Sequence, residues 1–156
     1  MSFTQGIRTA NILTADQAVT SSVTPVTIQN SSTDQFSFVV NAGKTLYWEF
    51  EGIFSLGATG GFRFLPHCSS APTKYNFECT VRDLTTPGTL TPASAGVLTE
   101  TAFANASAVA GNYQIQASGS IIANAQTTFS FQFAQNTSDV LSITMKAGAV
   151  LKLWQL

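Results

Sequence analysis

The stretch "TLYWEFEGIFSL", Thr45 to Leu56, decides the fold. Leu46, Trp48, Phe50, Phe54 and Leu56 fall on one face of an extended chain. Tyr47, Glu49, Glu51 and Ser55 fall on the other, with Ile53 the exception. A period of two means a strand with one face buried and one in water. The same period returns further along. In "KYNFECTVRD" Tyr75, Phe77, Cys79 and Val81 alternate with Asn76, Glu78, Thr80 and Arg82. Tyr113, Ile115 and Ala117 alternate with Gln114, Gln116 and Ser118. Phe129, Phe131 and Phe133 follow the rule, and so do Leu141, Ile143 and Met145. Weaker strands are expected at "AVTSSVTPVTIQ", "QFSFVV" and "FRFLP".

Turn signals separate these runs: "NAGK", "GATGG", "VAGN", "NTSD" and "KAGA". Half-buried strands punctuated this often predict an all-β antiparallel sandwich or barrel. "GATGG" reads as a hairpin turn. Thr85 to Gly96, rich in breakers, reads as an exposed loop on one rim. The Ala-rich "ETAFANASAVAG" reads as a loop or a short helix, since it has no apolar stripe.

The 156 residues make one domain of ordinary size, able to bury a core without staples. Apolar residues are 44% of the chain and charged residues only 10%. Ordinary domains carry about 25% charge, so Ser, Thr, Asn and Gln supply the polarity here. A net charge of −1 gives no basic footprint for nucleic acid, and no Lys/Arg cluster for an anionic membrane. The first residues lack the apolar core of a signal peptide, and no run is long enough to span a bilayer.

Chemistry-bearing residues are few. His67 beside Cys68 invites a metal or a thiol nucleophile, but with Cys79 the ligands number three at most. They read as a surface histidine in a Pro turn and two core cysteines. No metal, cofactor or catalytic residue is expected. Glu49 and Glu51 share a strand face, and such a pair can act as acid and base or bind calcium. Glycosidase chemistry needs one of the two in an apolar setting, and nothing in the sequence supplies it. They read as the solvated face of a strand. Trp48 belongs with the core, whereas Tyr47 is free on the opposite face.

The two ends stand out. Met1 to Ala10 shows no alternation, so residues 1–11 read as an N-terminal arm and 12–156 as the β-sandwich domain. The chain closes on "GAVLKLWQL". Leu151 and Leu153 lie on one face of that strand, and Val150, Trp154 and Leu156 on the other. Both faces need cover.

The series "LTADQAVTSSVTPVTIQ", "FSFVVNAGKTLYWEFEGIFSL", "GFRFLP", "ASGSIIANAQTTFSFQFAQ" and "VLSITMKAGAVLKLWQL" resembles small β-rich structural modules of tailed bacteriophages. These modules occur in capsid decoration (cement) proteins and tail-fibre tips. The resemblance implies a jelly roll of the complement/tumour-necrosis-factor kind that forms trimers. It implies a non-enzymatic virion protein, made in the host cytoplasm, that binds the major capsid protein on the capsid surface and stabilises joints between capsomers. Val150, Trp154 and Leu156 are then candidate homotrimer contacts. Met1, Ser2, Phe3, Thr4, Gln5, Gly6, Ile7 and Arg8 are a candidate capsid-contacting arm. The alternative is a tail-fibre tip or head fibre that binds a host surface glycan. A fibre tip follows a long shaft, and here only about a dozen residues precede the first expected strand, which favours cement.

Overall fold

The computed structural model of the chain describes residues 7–57, 60–85, 90–96, 103–105 and 110–156. Its first strands are β1 (Ile7–Ile12), β2 (Gln17–Val19), β3 (Val26–Thr27), β4 (Gln29–Ser31), β5 (Asp34–Gln35) and β6 (Ser37–Val40). Then come the long β7 (Thr45–Leu56), β8 (Phe62–Cys68) and β9 (Lys74–Asp83). β10 (Leu90–Gly96), β11 (Phe103–Asn105), β12 (Gly111–Ile122), β13 (Thr127–Gln135), β14 (Ile143–Met145) and β15 (Val150–Gln155) complete the order. Among the described residues there is no helix.

The strands form two antiparallel sheets that share one core. The larger runs β1-β15-β7-β12-β9-β10. β14 pairs with the end of β7 beyond β15, and β2 pairs with β14. The smaller runs β11-β8-β13-β3, with β6 also on β13. β4 and β5 form a small hairpin. The strongly alternating runs sit in the middle of the sheets, where a strand needs an apolar face most. The turns 41–44 and 146–149 place Gly43 and Gly148 at φ of 74° and 92°, a left-handed backbone that glycine adopts without a Cβ penalty. Asp16 holds the second turn. Its carboxylate accepts from Lys146 Nζ and the Ala147 N–H, both at 2.9 Å, and these bonds hold its pKa below the usual carboxylate value.

Aromatic rings fill the space between the sheets. Trp48, from the larger sheet, meets Phe129 and Phe131 of the smaller at centroid distances of 5.4 and 5.8 Å. Phe50 stacks on Phe131 at 4.1 Å, and Phe54 meets Phe62 and Phe64 edge-on. Burying one such side chain contributes roughly 1.5–3 kcal/mol, so this layer dominates the fold's stability. Polar bonds fix the alignment. The Tyr75 hydroxyl donates across the core to the Pro66 carbonyl at 2.5 Å. Pro66 lies on β8 beyond the reach of β11, so its missing N–H costs no ladder bond.

Gln135, only 2% exposed, closes one end of the sandwich. Its Oε1 accepts from the Ser22 and Asp139 N–H groups, both at 3.1 Å. Its Nε2 donates to the Asp139 and Leu141 carbonyls at 3.0 and 2.5 Å. One amide thus satisfies four backbone groups of two loops. Gln135→Ala is expected to lower unfolding free energy by about 2–4 kcal/mol, since each buried group left unpaired costs roughly 1–3 kcal/mol. Urea unfolding with an unchanged slope checks this.

Three expectations are corrected. The N-terminal arm does not extend to Asn11. Ile7 and Arg8 already stand in β1, opposite Gln155 and Trp154, and Met1 to Gly6 lie outside the described residues. β1 was illegible because it is an edge strand with no inward apolar series. The segment Thr85 to Gly96 is not all loop, because Leu90–Gly96 is the other edge strand, with Pro92 tolerated there. In the Ala-rich stretch, Phe103–Asn105 is a strand rather than a helical turn, and Phe103 is buried. Smaller differences follow. Leu141 is exposed, because β14 begins only at Ile143. "GATGG" closes no hairpin, since it leads from β7 in one sheet to β8 in the other.

Candidate functional site

Period two puts every second residue of the larger sheet on its outer face, and the ladder sets them in rows. One row reads Ala10, Lys152, Glu49, Ser118, Glu78 across β1, β15, β7, β12 and β9. The next reads Ile12, Val150, Glu51, Gln116, Thr80. On the other side of the first row lie Trp154, Tyr47, Ser120 and Asn76. The face is polar in the middle, and towards the β1–β15 edge apolar residues stand in the two outer rows with Lys152 and Glu49 between them.

The polar part forms an open groove of about 380 Å³. Glu49, Glu51, Glu78, Thr80, Gln116 and Lys152 are among its walls. Glu51 Oε1 accepts from Gln114 Nε2 at 3.2 Å and from Gln116 Nε2 at 3.4 Å. Lys152 Nζ stands 3.8 Å from Glu49 Oε2, a solvated pair worth at most about 1 kcal/mol. The groove offers carboxylate, amide and hydroxyl groups in one plane, a set suited to hydrogen-bonding a polyhydroxylated ligand.

The apolar part is the C-terminal strand and its neighbours. Leu151 and Leu153 point inward and are fully buried. Val150 and Trp154 point outward and are half-buried, and Leu156 is 58% exposed. Tyr47, 45% exposed, stands directly opposite Trp154. Ile12, 55% exposed, stands opposite Val150. The sequence separated the two faces of the strand. It did not pair Trp154 with Tyr47 or Val150 with Ile12, since register depends on the whole ladder. Glu78 and Gln116 were likewise missed as walls of the groove that holds Glu51. Their only signal was the polar phase of an alternating strand.

The other candidate residues are not brought together. His67 is on β8 of the smaller sheet, opposite Ser130, and not in a turn. Cys68 and Cys79 are buried thiols in opposite sheets. Burial alone pushes the Cys79 thiol up to about 12, which leaves it protonated and inert at neutral pH. Among the described residues no three His, Cys, Asp or Glu side chains are grouped to hold a metal ion. Among the same residues no helix is long and apolar enough to cross a membrane.

No family model matches the chain, and no curated protein matches it. One solved structure with partial likeness is the crystal structure of the infectious bursal disease virus VP2 subviral particle. Identity is 9%, with 96% of this chain and 40% of that chain covered, at a TM-score of 0.22. This chain therefore spans well under half of that one, and a TM-score so low carries no argument about fold or function.

Proposed function

We propose that the protein is a virion structural protein, a non-enzymatic cement protein that acts as a homotrimer on the outside of a tailed-phage capsid. In this reading its sandwich is a jelly roll. It is made in the host cytoplasm, binds the major capsid protein and adds contact free energy at joints between capsomers. The observation that carries the reading is a pair of outward apolar clusters, Tyr47 with Trp154 and Leu156, and Val150 with Ile12, on either side of the Lys152–Glu49 row. Exposed apolar side chains gathered on one face of a small domain mark a contact face, and interface cores are depleted in charge as this chain is.

Two substitutions on one strand test it. Leu153→Ser places a hydroxyl in the core and is expected to cost about 2–5 kcal/mol, enough to unfold a marginal domain. Trp154→Ser changes only the outer face and is expected to yield folded monomers. Circular dichroism with sedimentation velocity reads both outcomes. A wild-type chain that sediments as a monomer at micromolar concentration rejects the trimer, and a Trp154→Ser variant that stays trimeric rejects the patch as its interface.

The groove supports a second reading, a tail-fibre tip or head fibre that binds a host surface glycan. Its amides, hydroxyls and carboxylates lie beside exposed Tyr47, whose ring can stack on a sugar. A glycan array separates the two readings.

A further inference from the structure

We infer that the groove over β12 takes a linear oligosaccharide free of acidic sugars, laid along the strands with one ring on Tyr47. This rests on the second reading above, in which the Tyr47 ring is open to a ligand, and narrows it to one class of glycan. The shape of the site comes from residue size. Ser118 lies between Glu49 of β7 and Glu78 of β9, and Ser120 between Tyr47 and Asn76. Short side chains on β12 thus form a floor, and longer ones on the neighbouring strands form walls. The walls stand two strand spacings apart, roughly 9.5 Å, and the rows from Tyr47 to Glu51 extend roughly 13 Å along the strand. The trough is longer than it is wide, which suits a chain of sugars better than a single one.

Charge selects among glycans. The walls hold the carboxylates of Glu49, Glu51 and Glu78 against one ammonium, that of Lys152. Lys152 stands by Glu49, and among the described residues no cation is paired with Glu51 or Glu78. Arg82 lies one row beyond Thr80 on β9 and is not a wall of the groove. An ionised carboxylate only accepts hydrogen bonds, so a ligand here must bring donors and no negative charge of its own. Sugar hydroxyls and amino groups meet that demand, whereas the carboxylate of a uronic or sialic acid meets like charge. Gln114 and Gln116 each donate an amide N–H to Glu51 Oε1, which fixes one acceptor before a ligand arrives. The other end of the floor is different. Asn76 Oδ1 accepts from the Ser120 N–H and hydroxyl at 2.9 and 2.8 Å, so its polar groups already serve one another. Beside them stands the Tyr47 ring, 45% exposed, with Trp154 opposite it. An aromatic face next to satisfied polar groups suits the apolar face of a pyranose.

The full chain is read on an array of linear neutral, amino-bearing and acidic glycans. The strongest binder is then titrated by calorimetry against the wild type, Tyr47→Ala, and the double variant Glu51→Gln with Glu78→Gln, with circular dichroism checking each fold. Binding confined to neutral and amino-bearing glycans is expected. Tyr47→Ala is expected to weaken it roughly tenfold, and the double variant roughly tenfold or more. The double variant is also expected to admit acidic glycans. Glu78→Gln alone gives the same readout should the double variant misfold. Acidic glycans bound by the wild type overturn the inference and leave the glycan reading standing. A neutral glycan whose affinity neither variant lowers lies elsewhere on the protein and also overturns it. An array on which no glycan of any class is bound overturns both.

Discussion

Deletion of Leu153 to Leu156 is expected to leave no folded protein. β15 lies between β1 and β7, so the deletion strips ladder bonds from both neighbours. Leu153 is buried against the core, and removing so large an apolar side chain costs about 2–5 kcal/mol. Leu156 contributes through its backbone, which exchanges hydrogen bonds with Thr45 at 2.9 and 3.3 Å. Gln155 Oε1 accepts from the Asn41 N–H. Ladder bonds lost at about 0.5–1.5 kcal/mol each bring the sum into the 5–15 kcal/mol range of a whole domain's stability. Expression in inclusion bodies, or a far-ultraviolet spectrum without the sheet signal, is the expected finding. A soluble, cooperatively melting truncation shows that the strand is peripheral.

Gly119→Ala is expected to destabilise the fold by about 3 kcal/mol or more, at or above the usual overpacking range. Gly119 stands in β12 between Trp48 of β7 and Phe77 of β9. A Cβ there would lie 2.7 Å from the Trp48 ring and 2.9 Å from Phe77 Cβ, and would press on the Asn76 carbonyl oxygen. The last is backbone of a paired strand and cannot turn aside. Trp48 cannot retreat either, since Phe77, Phe129 and Phe131 surround it. Thermal melting reads the effect as a loss of at least about 6–12 °C, at about 2–4 °C per kcal/mol for a chain of this size. An unchanged melting temperature overturns this account of the centre of the sheet.

How much of this was legible beforehand follows from where each strand sits. Trp48, Phe50, Phe77 and Phe131 belong to central strands, whose inward series must be apolar, so alternation exposed them. β1 and β10 are edges. An edge strand is secured by backbone bonds on one side and can carry Thr, Ala, Asn or Pro, so its sequence looks like a tail or a loop. Short β11 shares this fate. The two faces of the last strand were legible because Leu151, Leu153, Val150 and Trp154 obey the same period. Their neighbours were not, because register is settled by the whole ladder. The groove was invisible for the same reason: Glu51 precedes Gln116 by many residues and meets it only through the β7–β12 register.

The pairing of β1 with β15 also sets the order in which the chain can be completed. Between Ile12 and Val150 the difference in position is 138 residues. At about 5–20 residues per second, β1 is synthesised roughly 7–28 s before its partner. The centre of the larger sheet is in the same position, because one edge of β7 waits for β14 and β15 while β12 covers the other. During that interval the nascent chain holds an open seam beside Trp48 and Phe50. Polysomes making many copies bring such seams close together. In the homotrimer proposed above, assembly would therefore begin while synthesis is still under way, and slowing elongation near the end of the message is expected to change which chains become partners.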